Sequence, residues 1–247
     1  MSPTSVTRAE KVDSLSHRAC FKVAGAVLMA SAAWFSLQTP SRAAEAVFHI
    51  PPPQTDLSAN ETGTATAVLA GGCFWGVQAV FQHVDGVTQA LSGYAGGSAD
   101  TAHYDTVSTG RTGHAEAVQI TYDPSRITYG QLLQIYFSVA HDPTQHNRQG
   151  PDVGTQYRSA IFPTNDAQRR VAEAYIAQLN HSGTYTRPLA TTVENPGGFY
   201  PAEKYHQDYL VQHPNSPYIV INDQPKVENL AKEYPDHFRQ TPVLVGG

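Results

Sequence analysis

The order of elements in this sequence predicts an α+β fold, a two-layer sandwich in which helices cover one mixed sheet. Three observations carry that expectation. Short runs rich in valine, isoleucine and alanine, bounded by glycine, alternate with stretches whose apolar residues recur at helical spacing. The first six of these elements run β-α-β-β-α-β, the split βαβ order, also described as ferredoxin-like. No internal repeat or change of composition marks a second domain after residue 65.

The elements follow in order. Residues 66–70 (Thr-Ala-Val-Leu-Ala) read as a short buried strand, broken by Gly71-Gly72, after which Val77, Val80 and Phe81 mark a helix. Residues 87–94 read as a second strand ending at Gly96-Gly97. Residues 115–122 read as a third, with Val118 and Ile120 on one face. Thr128 can cap a helix whose stripe is Leu132, Ile135, Tyr136 and Val139. Residues 157–162 form the next strand, and Asn165 or Asp166 caps a helix that runs to Leu179. A brief strand at 191–194 follows, and Pro201 is placed to open a last helix ended by His213-Pro214. Beyond Pro225, two prolines and weak periodicity predict an extended C-terminal tail wrapping the domain.

The N-terminus carries the three parts of an export signal. Arg18 and Lys22 precede an apolar run from Ala24 to Leu37, and Pro40 leads into the small-residue stretch 41–46. The run is shorter than the roughly 20 residues a spanning helix needs. The expected organisation is a signal peptide over 1–46, a flexible Pro/Thr/Ser-rich linker over 47–65 and one catalytic domain over 66–247. The location is then periplasmic or secreted, or membrane-anchored if the signal stays on. Cleavage after Ala46 would remove both methionines, Cys20 and Trp34, leaving Cys73 as the one cysteine of the mature chain and excluding an internal disulfide. A formal net charge of −5 argues against a nucleic-acid binder working through a basic surface.

Cys73 is the first candidate for chemistry. It stands where a strand gives way, through two glycines, to the first turn of a helix, and unpaired N–H groups gathered there favour a thiolate. Phe74 and Trp75 beside it can build an apolar wall. Glu116 enters a strand among apolar neighbours, where a carboxyl would keep its proton and could give it to a leaving oxygen. Tyr104 and Tyr157 lie in loops where hydroxyls can orient a polar group, and Asp152 precedes the second of them. Eleven histidines invite a metal, but no pair has the spacing of a zinc hydrolase, and His114-x-Glu116 lacks the cysteines of a zinc deaminase; no metal is expected. Read without further help, the residues allow a redox enzyme, a cysteine hydrolase or acyltransferase with His114 or His206 as base, or a binding module for methionine-rich segments.

Residues 72–76 (Gly-Cys-Phe-Trp-Gly) resemble the active-site motif of peptide methionine-sulfoxide reductases of the A type. So do residues 93–97, the run from Tyr104 through Val107, Gly110 and Thr112 to Glu116, residues 152–159, and the late segment 202–209. The resemblance covers residues 66–212 in the family's order. It implies that Cys73 is the nucleophile, Glu116 the proton donor and Phe74-Trp75 the cage for the substrate methyl. Tyr104, Tyr157 and Asp152 would line the oxygen and backbone side of the pocket. It further implies the S epimer of methionine sulfoxide, free or in oxidised proteins, as substrate. No cofactor is expected, and a thioredoxin-like or glutaredoxin-like protein or a small thiol would serve as reductant to a monomeric enzyme. The sequence departs from many relatives in one respect: residues 220–247 hold no resolving cysteine, so the expected cycle uses Cys73 alone.

Overall fold

A computed structural model describes residues 47–58, 63–195 and 197–245; the expected signal segment lies outside the described residues. The main sheet has six strands: β1 (Ala65–Gly71), β2 (Val87–Ala95), β3 (Ala115–Tyr122), β6 (Ser159–Ile161), β7 (Thr192–Val193) and β8 (Phe199–Pro201). Their order is β7-β6-β1-β3-β2-β8, and β4 (Arg148–Gln149) and β5 (Asp152–Val153) form a separate small hairpin. The four central strands are antiparallel, and only β6 and β7 run parallel, so the sheet is mixed as expected. Leu69 sits opposite Val118 on one side and Ile161 on the other.

The helices are α1 (Phe74–Gln82), α2 (Tyr104–Val107), α3 (Tyr129–Ile135), α4 (Asp166–His181), α5 (Tyr209–Gln212) and α6 (Gln224–Glu233). Thr128 and Gln131 close a reciprocal capping box at the start of α3, and Asn165 accepts the Gln168 N–H at the start of α4. Residues 136–140 continue α3 as a wider π-helical turn, which brings the Tyr136 hydroxyl to the Ala70 carbonyl at 2.7 Å. The larger core joins Leu69, Val118, Ile120 and Tyr122 to Phe81, Leu133 and Leu230. A smaller cluster of Val68, Ala70, Ala115, Ala117 and Phe162 packs together separately. Along β3 the period of two sets Glu116 on the same face as Val118 and Ile120.

Four expectations fail. Pro201 does not open a helix; it ends β8, an edge strand paired to β2, where a missing N–H is tolerated. The helical part of that late stretch shrinks to a 3₁₀ turn at Lys204–His206 and the single turn of α5. The C-terminal stretch is no extended tail, because Pro225 occupies the first turn of α6, where its fixed φ suits the helix. Lys226 on the buried stripe with Leu230 hides the apolar period. Tyr157 belongs to a 3₁₀ turn before β6 rather than to the strand. Finally, residues 47–58 are docked rather than loose. Phe48 exchanges two hydrogen bonds with Ser138, the Tyr175 hydroxyl donates to Pro51, and Asp56 accepts the Gly130 N–H at 2.7 Å.

Candidate active site

Gly72, at φ +90°, turns the chain from β1 into α1 in a conformation that suits glycine, and Cys73 follows as the N-cap residue of that helix. Cys73 is 8% exposed and opens onto a cavity of about 200 Å³. Phe74, Trp75, Tyr104, Glu116, Asp152 and Tyr157 line the same cavity, so all seven sequence-derived candidates meet there. They come from four separate places: the start of α1, the start of α2, strand β3 and the stretch from β5 to the 3₁₀ turn before β6.

Glu116 is buried, and its Oε2 accepts the Phe74 N–H at 3.0 Å, which ties the acid to the helical turn that follows Cys73. Burial pushes its carboxyl up to about 8; the Phe74 N–H pulls the other way, and the charges of Asp152 and Asp223 add to the rise. Glu116 therefore keeps its proton at neutral pH and can donate it. Cys73 corrects the expectation of a resting thiolate. Burial, then the charges of Glu116 and Asp223, push its thiol well up, and the Trp75 N–H at the helix start offsets only part of this. The helix N-terminus is present, but desolvation wins. Burial likewise raises Tyr104 and Tyr157, so both hydroxyls remain donors.

The indole of Trp75 is fixed on three sides. It stacks on Tyr209 with centroids 3.7 Å apart and planes 5° from parallel, and meets Tyr218 edge-on. Its Nε1–H donates to His206 Nδ1 at 3.2 Å. Glu203 accepts the Tyr104 N–H at 2.9 Å and the Tyr94 hydroxyl at 2.8 Å. Gln207 accepts from Gln78 and from the Ser92 N–H, and donates to the carbonyls of Ser92 and Ala202. The segment 202–209 thus braces the wall of the cavity rather than reaching into it.

Neither histidine of the hydrolase reading reaches the sulfur. His114 Nδ1 accepts the Gly97 N–H, which leaves Nε2–H to donate to the Ser98 carbonyl. His206 accepts from Trp75 and packs on Tyr104, with ring centroids 4.4 Å apart. Among the described residues no group of three or more histidine, cysteine or acidic side chains is arranged to hold a metal ion. Sequence reasoning missed Tyr218, which lines the cavity and donates its hydroxyl to Asp152. It also missed the buried pair Asp223–Lys226. For Tyr218 the sequence offers no signal; for the pair, the one sign is a lysine four residues before Leu230 on a helix stripe.

A family model described as peptide methionine sulfoxide reductase matches residues 65–238. The chain is 62% identical over 183 residues to a peptide methionine sulfoxide reductase MsrA of Mesorhizobium japonicum, covering 74% of this chain and 94% of that one. It is 49% identical to one from Synechocystis, covering 77% of this chain and 90% of the relative. Among solved structures, methionine sulfoxide reductase A of Corynebacterium diphtheriae superposes with a TM-score of 0.53 at 34% identity, covering 69% and 86% of the two chains. The reduced form of Mxr1 from Saccharomyces cerevisiae gives 0.56 at 33%, covering 63% and 91%.

Proposed function

We propose a one-cysteine catalytic cycle for this chain, which belongs to the peptide methionine sulfoxide reductase family and is a reductase of the A type. It reduces methionine sulfoxide to methionine, a repair of oxidised protein. In the proposed cycle the substrate methyl lies against Phe74 and Trp75, and the sulfoxide oxygen faces Glu116, Tyr104 and Tyr157, with Asp152 on the side of the substrate backbone. The Cys73 sulfur attacks the sulfoxide sulfur while Glu116 protonates the oxygen. The sulfur–oxygen bond of the substrate breaks as oxygen passes to Cys73. Methionine sulfur gains two electrons, the cysteine loses two, and Cys73 is left as a sulfenic acid. One external thiol then forms a mixed disulfide with loss of water, and a second releases free Cys73.

The observation that carries this reading is the junction of Cys73 and Glu116 at one turn, with the acid held neutral up to about pH 8. The finer assignments belong to the same proposal: the S epimer as substrate, a thioredoxin-like or glutaredoxin-like protein or small thiol as reductant, a monomeric enzyme with no bound cofactor, and export by the segment 1–46. One turnover on methionine-S-sulfoxide without reductant, followed by dimedone trapping and mass spectrometry, should label Cys73. An oxidised chain carrying an internal disulfide instead, or equal turnover of the R epimer, would overturn the cycle or its stereochemistry respectively.

A further inference from the structure

A second buried charged group lies beside the cavity and takes no part in the cycle above. Asp223 is fully enclosed, Lys226 is 3% exposed, and the Lys226 Nζ donates to Asp223 Oδ1 at 3.4 Å. Withdrawing two charges from water costs several kcal/mol per ion, so a buried pair is a poor device for stability alone. Its placement is more telling. A Cβ at Gly76 would come within 2.1 Å of Asp223 Oδ1 and 3.0 Å of Lys226 Nζ. The pair is therefore seated directly against the first turn of α1, and glycine at position 76 is what lets it approach. The pair is also polarised. The negative charge of Asp223 acts on Cys73, Glu116 and Tyr218, whereas Lys226 acts on His141.

We propose that Asp223–Lys226 is a positioning pair for the reaction: a buried ion pair that seats α6 on the first turn of α1, with its carboxylate end acting on Cys73 and Glu116. The proposal rests on Glu116 being the proton donor. Asp152 also acts on both Cys73 and Glu116, and the hydroxyls of Tyr94, Tyr104, Tyr157 and Tyr218 feel the charge of one or both. Of these, Asp152 is the one other carboxylate, so Asp223 supplies a separable share of the negative field. A protonated resting thiol is a poor target for oxidants and stray disulfides, since the thiolate is the reactive form.

The test reads Cys73 directly, through the pH dependence of its alkylation by iodoacetamide, followed by mass spectrometry of the peptide that contains it. In the full-length chain, Asp223→Asn should lower the alkylation midpoint by about one pH unit, the size expected for loss of a nearby like charge. The double variant Asp223→Asn/Lys226→Met, which buries no unpaired charge, should shift it in the same direction by less. The double variant keeps the test decisive if the single one does not fold. Folded variants that alkylate at the wild-type midpoint, even with a lowered melting temperature, make the pair merely structural and overturn the proposal. Because alkylation needs no sulfoxide, its outcome is independent of the cycle itself, whose failure would show as absent turnover in the wild type.

Discussion

Residues 65–122 supply five of the eight residues that line the cavity, residues 199–234 supply Tyr218 and the groups packed behind Trp75, and the two regions are built in different ways. The first region is held by backbone pairing and apolar side chains; β2 and β3 run in register from Gln89 opposite Thr121 to Ala95 opposite Ala115. Cys73 and Glu116 both belong to it, so the proposed nucleophile and acid are set by strand register and one helix start. The second region has little regular pairing and is held by polar side chains, the half-buried Glu203 and the buried Gln207, Asp208 and Asp223–Lys226 pair. It contributes Tyr209, Tyr218 and His206, which fix the ring of Trp75. The proposed reacting groups thus sit on the half held by sheet pairing, and the groups that shape their surroundings sit on the half where each hydrogen bond is specific.

The sharpest way to break this division is at the nucleophile. Cys73→Ser should abolish reduction measured with methionine-S-sulfoxide and excess dithiol, because a serine hydroxyl at neutral pH is a far weaker nucleophile than a thiolate. The cavity walls stay in place, so calorimetry should still detect substrate binding. Retained turnover would remove Cys73 from the chemistry.

Glu116→Gln should slow the single-turnover step by roughly 10²–10⁴-fold, the usual contribution of a general acid. Its pH profile gives a finer test. The reacting form has Cys73 ionised and Glu116 protonated, while the free enzyme below pH 8 holds both protons, because burial raises the thiol above the acid. The wild-type kcat/KM should therefore rise with pH up to about 8, where Glu116 ionises, and then level off. Beyond that point the free enzyme and the reacting form carry the same number of protons. In Glu116→Gln the rise should continue past pH 8 with no break. A wild-type rate that falls above pH 8 would mean that the thiol is already ionised in the resting enzyme.

The second region should respond differently. Gln207→Leu strands the Ser92 N–H, at about 1–3 kcal/mol for a buried group left unpaired, while the Ser92 carbonyl keeps the Ala202 N–H. Denaturant unfolding should show that loss, while the chemical step in the folded fraction stays close to wild type. A large loss of rate without a loss of stability would place Gln207 among the reacting groups. The smallest effect is expected at Trp75→Phe, which removes the indole hydrogen bond to His206. About 1 kcal/mol of positioning corresponds to roughly a fivefold rise in KM with kcat little changed.

The same division explains what could be read from the sequence. The β-α-β-β-α-β order, the capping residues Thr128 and Asn165 and the turn at Gly71-Gly72 follow from local periodicity and side-chain preference, and each has a counterpart in the structure. The convergence of Tyr104, Asp152 and Tyr157 on Cys73 was implied by resemblance and not by spacing. The late region misleads because its stabilising residues are polar. Lys226 on an inner stripe reads as solvated, Pro225 reads as a breaker where it opens α6, and Tyr218 gives no sign of its bond to Asp152. The thiolate expectation fails for a related reason. A helix start is visible in sequence, but the burial and the carboxylates that oppose it are assembled only by the fold.

The distances along the chain between the two regions have a consequence for the newborn molecule. Trp75 and His206 are 131 residues apart, and Gln78 and Gln207 are 129. At a synthesis rate of roughly 5–20 residues per second, Cys73 emerges on the order of ten seconds before the late region that encloses it has been made. For that interval the thiol lacks the finished enclosure and the Asp223 carboxylate that later help hold its proton, and it has the reactivity of an exposed cysteine. The enzyme is most open to oxidation before it is finished, when it cannot yet repair anything.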